Sequence, residues 1–222
     1  MLVLASYFIG GDAQWIHWHA LAGLSAGFLL VFRLVWGVIG PLYSRFFHFA
    51  FTPAMAGRLT SKNVLEKNDG AKSTYPGHTL EASWVMVAIY FVLFVVVMSG
   101  FLAYAGEEVA ISAVQTGPRT ADVAANIHQG ALPALWILIV IHLIGVVLSA
   151  IDDRETGVFG SMISGYKNVT AVSASLSDVQ RWFAVLSTIL FLIFTLLFGY
   201  KAMTTDSPAA SSTEINPTND HD

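Results

Sequence analysis

Four apolar stretches reach or approach the length of a membrane span and organise this chain of 222 residues: Trp15–Gly40, His78–Tyr104, Asn126–Ala150 and Trp182–Tyr200. A hydrocarbon core of about 30 Å takes roughly 20 helical residues. Lipid offers no partner to an unpaired backbone group, so helices are the predicted elements. Trp15 and Trp18, Trp36 and Tyr43, Trp84 and Tyr104, and Trp182 and Tyr200 sit near the ends of these stretches, where aromatic belts meet the headgroups. The Thr52–Pro76 loop is long and polar, and the tail from Thr204 to Asp222 has almost nothing to bury; such a tail is expected to be disordered. The beginning is different. Met1–Ile9 is apolar but short, about 13 Å as helix, before Gly10, Gly11 and Asp12 break it. Without a basic region or a small-residue cleavage site it does not read as a signal peptide. It reads as the second half of a membrane helix.

Composition narrows the class. The chain is 55% hydrophobic and only 12% charged, with mean hydropathy +0.63, which places it among polytopic helical membrane proteins rather than soluble domains. Cysteine is absent, so disulfides, iron–sulfur ligation and covalent haem attachment are excluded. There is no phosphate-cradling loop, nucleotide fingerprint or basic nucleic-acid patch. The net charge of −4 matters less than how the charges are sorted. Arg45, Arg58, Lys62, Lys67 and Lys72 lie between the first two full spans, and Arg154, Lys167 and Arg181 follow the third. The Ala105–Ala125 loop has Arg119 against Glu107, Glu108 and Asp122. Basic loops stay in the cytoplasm, so the acidic loop and the C-terminus are expected outside.

Candidate chemistry rests on histidines inside the spans. His128 and His142 lie fourteen residues apart in one apolar stretch. That spacing returns to within about 40° of the starting direction and covers about 21 Å of helix. Two ionisable rings on one face in hydrocarbon call for a function, and the pairing suits two stacked haems, each taking one axial ligand here. On the first full span His19 is followed by Gly23 and Gly27. Those glycines leave a groove for a flat macrocycle, or serve ordinary small-residue helix packing. Arg33, fourteen residues after His19, suits a haem propionate or a quinone oxygen, or else snorkels to the inner interface. His78 and Glu81, one turn apart near the cytoplasmic side, are candidates for a quinone or proton site or sit among headgroups. His17 faces away from His19 and is expected at the interface; His48 follows the span in a loop, and His221 lies in the tail.

Several segments together carry a family resemblance. His19-Ala-Leu-Ala-Gly23, with Phe32-Arg33-Leu-Val-Trp36-Gly37 and Gly40, resembles the second helix of the bacterial di-haem b-type cytochromes. These are the prokaryotic cytochrome b561 group and the cytochrome b subunits of nickel–iron hydrogenases. Gly77-His78 is similar to that family's Gly-His-Asn-Pro helix opening, although Thr79 and Leu80 depart from it. His128 and His142 match the paired histidines of the fourth helix, and Met162-Ile-Ser-Gly165-Tyr-Lys167 its cytoplasmic Met-Ile-x-Gly-x-Lys run. The resemblance spans residues 15–168.

It implies an all-α integral membrane fold: a four-helix haem-binding bundle with a truncated first helix, plus one additional C-terminal membrane helix. The corresponding divisions are 1–168 for the cytochrome domain, 169–203 for the added helix and 204–222 for the polar tail. It also implies two b-type haems, one held by His19 and His128 on the outer side. The other would be held by His142 and a histidine of the family's first helix, in a Phe-His-Trp context that this chain lacks. The chain is therefore expected to lack the start of that helix, through a mis-assigned start codon or as a single-haem variant. The implied function is electron transfer between the quinone pool and a partner redox protein, such as a hydrogenase-like subunit or a c-type cytochrome. The chain would be an electron-transfer subunit rather than a stand-alone enzyme. The alternative is a haem-free membrane anchor of a redox complex.

Overall fold

The computed structural model describes residues 1–10, 15–48, 80–106, 114–152 and 175–204. These form five α-helices, with no strand among the described residues: α1 (Leu2–Ile9), α2 (Ile16–Ile39), α3 (Leu80–Tyr104), α4 (Pro118–Asp152) and α5 (Asp178–Thr204). Two short 3-10 turns, Leu42–Ser44 and Phe46–His48, follow α2. The four longer helices are each long and apolar enough to cross a membrane. The protein is a multi-pass, all-α membrane protein. The Thr52–Pro76 loop, the Met162–Lys167 segment, Gly77-His78 and the tail with His221 lie outside the described residues.

Helix ends follow local chemistry more closely than hydropathy does. The third span begins at Pro118 rather than at Asn126. Proline suits the first helical position because its missing N–H has no partner there anyway, and Thr120 and Ala121 donate back to the Gly117 carbonyl. The added turns carry Arg119 and Asp122, both exposed, so no hydrophobic criterion would include them. Pro133 lies inside the same helix. The last span begins at Asp178 rather than Trp182. Ser177 N–H donates to Gln180 Oε1 at 3.0 Å, and Gln180 N–H donates to Ser177 Oγ at 3.4 Å. This reciprocal pair closes the orphan donors of the first turn.

By packing, the chain divides into two units. The first holds residues 1–31, 93–132 and 185–222; the second holds 32–92 and 133–184. The core of the first unit is built of small residues, with Ala20, Ala22, Ala26, Ala105, Ala124 and Ala202 buried. Small side chains let helix backbones approach closely where lipid gives no hydrophobic drive. Gly27 shows the consequence, since a Cβ there would meet Val97 Cγ1 of α3 at 2.6 Å. Phe28 of α2 packs against Phe191 and Phe194 of α5, with ring centroids 5.4 and 6.3 Å apart.

In the second unit Phe32 and Trp36 of α2 stack on Phe183 of α5 at 5.8 and 6.1 Å. Gln180 Nε2 donates to the Ile39 carbonyl at 2.6 Å, satisfying an acceptor at the C-terminal end of α2. Leu135 of α4 is almost fully buried. Elsewhere α4 and α5 expose Ile137, Ile144, Leu148, Leu196 and Leu197. In water such surfaces would aggregate; in a bilayer they face acyl chains.

Candidate functional site

The first unit brings His19 and His128 together. His19 closes the first turn of α2, and α4 carries His128. Their ring centroids are 5.9 Å apart and their planes cross at 84°. Each ring is tied to main chain through one nitrogen. His19 Nδ1 donates to the Ser6 carbonyl of α1 at 2.8 Å, with Ser6 Oγ also 3.1 Å away. His128 Nδ1 donates to the Val96 carbonyl of α3 at 2.8 Å. A carbonyl only accepts, so both rings hold their proton on Nδ1 and keep the Nε2 lone pair free. Among the described residues neither Nε2 makes a hydrogen bond.

That arrangement has a chemical meaning. A metal-binding histidine typically donates its second ring N–H to a carbonyl or carboxylate, which sets the tautomer and orients the ring. A nitrogen ligand sits about 2 Å from its metal, so two imidazoles sharing one metal hold their ring centres roughly 6 Å apart. The observed 5.9 Å agrees. Among the described residues no group of three or more His, Cys, Asp or Glu gathers, so the site offers two nitrogen donors and no more. Two donors suit a macrocyclic metal that brings its own equatorial ligands, as haem does. A Cβ added to Gly23, one turn beyond His19, would meet nothing within 4 Å. The two glycines after His19 thus differ: Gly27 is a packing glycine against Val97, and Gly23 borders open space. The residues present fit a b-type haem.

Two further glycines make room for the rings; the sequence pattern marks Gly10 only as a helix breaker and does not single out Gly100. A Cβ on Gly100 of α3 would lie 2.8 Å from Cε1 and Nδ1 of His128, and one on Gly10 would lie 2.8 Å from His19 Nδ1. Ser99, next to Gly100, turns its hydroxyl back to the Val95 and Val96 carbonyls at 2.6 and 3.1 Å, so the acceptor of His128 is itself part of a small polar cluster. The signal was a Ser-Gly pair inside an apolar helix, and it is weak, because such pairs are common in membrane helices.

The other candidates are scattered. His142 is half-buried in the second unit and has no hydrogen-bond partner among the described residues. Arg33 of the second unit anchors the turn after α2: Nη1 donates to the Ser44 carbonyl at 3.2 Å. Its guanidinium lies over Phe46 and Tyr90, 5.3 and 5.7 Å from the ring centroids. Glu81 is exposed in the first turn of α3, and the side chains of His78 and His48 lie outside the described residues. His17, expected at the membrane interface, is enclosed by protein at the start of α2. It is 2% exposed, with Nδ1 in a 2.9 Å hydrogen bond to the Tyr104 hydroxyl.

No curated protein and no solved structure matches the chain. The family model of prokaryotic cytochrome b561 matches residues 1–165, which takes in α1 to α4 with His19, His128 and His142. Over that length the chain belongs to the prokaryotic cytochrome b561 family, and it is a membrane b-type cytochrome of electron transfer.

Proposed function

We propose that His19 and His128 hold one b-type haem between α2 and α4, and that the chain passes electrons between the quinone pool and a separate redox protein. A hydrogenase-like subunit or a c-type cytochrome would suit the second role. The observation that carries the ligand assignment is the ring pair itself, 5.9 Å between centroids with each Nδ1 on a main-chain carbonyl. Bound haem supplies a one-electron iron couple. The protein's part is to bind, orient and exclude water. The Ser6 and Val96 carbonyls keep both Nε2 atoms available and fix the ring planes, Gly10 and Gly100 admit the rings, and Gly23 leaves space beside His19. His142 is the candidate ligand for a second haem, with Arg33 as a candidate partner for a propionate. His78 and Glu81 remain the candidates for a quinone or proton site on the side of the basic loops.

The test uses the full chain purified with haem. A reduced-minus-oxidised spectrum with α and Soret bands is expected, and His19→Ala and His128→Ala should each remove the haem that the pair holds. Full haem content in both variants would overturn the assignment. No haem bands in the unaltered chain would favour the anchor role instead.

A further inference from the structure

Two residues before His19, the first unit contains a polar pair that haem ligation does not use. His17, near the start of α2, meets Tyr104, the last residue of α3, through the Nδ1–hydroxyl hydrogen bond of 2.9 Å, with ring centroids 6.0 Å apart. Tyr104 in turn packs against Phe198 of α5 at 6.4 Å. Both residues of the pair are buried, at 2% and 5% exposure. His17 Nε2 is buried and has no hydrogen-bond partner among the described residues. Leaving a buried polar atom unmade costs about 1–3 kcal/mol, so an orphan of this kind marks a ligand, a bound water or a redox role.

We infer that His17 Nε2, backed by Tyr104, is the hydrogen-bonding point for one ring oxygen of a quinone-class molecule beside the haem of His19 and His128. This rests on the quinone reading above and places the molecule at a different point from His78 and Glu81. The chemistry of the pair supports that class. A neutral imidazole has one donor and one acceptor nitrogen. When Tyr104 donates its hydroxyl proton to Nδ1, Nε2 carries hydrogen and suits a quinone carbonyl. When Nδ1 donates to the tyrosine oxygen, Nε2 is an acceptor and suits a quinol hydroxyl. The same two side chains thus satisfy both redox forms of one ligand by exchanging tautomers. A fixed donor such as lysine would satisfy only the first.

The experiment measures binding of a short-chain benzoquinol to the full, haem-loaded chain, alongside the haem spectrum. His17→Phe should weaken binding about tenfold, the effect of one lost hydrogen bond, with haem content unchanged. His17→Gln, whose amide oxygen can still accept from the quinol hydroxyl, should recover part of the loss, and Tyr104→Phe should weaken binding by a smaller factor. Unchanged affinity in haem-replete His17→Phe would overturn the site and leave the orphan nitrogen to a water. If His17→Phe loses haem, Tyr104→Phe decides, because it keeps the ring packing and removes only the hydroxyl: unchanged affinity there overturns the site equally. Absence of benzoquinol binding in the unaltered chain would overturn the quinone reading itself and this site with it. Binding that survives both substitutions would overturn the site alone.

Discussion

At the scale of single residues, carbonyl oxygens and glycines decide what the histidines can do. Ser6→Ala removes a hydroxyl 3.1 Å from His19 Nδ1 but keeps the carbonyl at 2.8 Å. It is therefore expected to retain haem, with at most a small spectral shift. Gly100→Ala is expected to do more. Its methyl would press on the His128 ring at 2.8 Å, closer than van der Waals contact allows, so the ring must turn away from Val96. Electron paramagnetic resonance of the oxidised protein should show altered low-spin g values, or a high-spin fraction, in Gly100→Ala; a spectrum identical to the parent's would argue that α3 yields instead. His142→Ala should leave the haem of His19 and His128 in place, as judged by its Soret band. Loss of that band would mean that His142 takes part in the same site.

At the scale of elements, each helix contributes one thing that its neighbours lack. α2 and α4 bring the imidazoles, and α1 and α3 bring the carbonyls that orient them. α5, wholly beyond the reach of the family match, docks by aromatic stacking and by Gln180. Gln180 has two jobs, closing the capping pair with Ser177 and donating to the Ile39 carbonyl. Gln180→Leu leaves a buried carbonyl and a helix start unsatisfied, at a cost of about 1–3 kcal/mol. It should lower the thermal midpoint of haem loss in detergent, whereas Ser177→Ala removes only the capping hydroxyl and should lower it less. Equal midpoints for Gln180→Leu and the parent would show that α5 is held by its aromatic seam alone.

For the whole molecule, the membrane determines orientation. The basic residues from Arg45 to Lys72 and from Arg154 to Arg181 are expected on the cytoplasmic side, which would put His19, His128 and the C-terminus on the opposite side. A reporter that works only in the cytoplasm, fused after Asp222, should be silent. A bright fusion would mean that the bundle is inverted or that α5 does not span.

The sequence alone determined the helical class, the four long spans, the absence of covalent haem attachment and the histidines worth weighing, because length and hydropathy are one-dimensional quantities. It also distinguished His19 and His128 as candidates, through a family pattern in residue types. Tertiary structure decided what depends on the rotation and depth of one helix against another. Lipid and helix core are equally apolar, so the pattern along α3 and α4 carries little information about which face points inward. That is why Gly23 and Gly27, alike in sequence, diverge into an open position and a packing contact. It is also why His17, expected at the interface, lies buried against Tyr104. The tautomers of His19 and His128 were set by main-chain carbonyls of Ser6 and Val96, acceptors that every residue type possesses and that only the packed fold can aim.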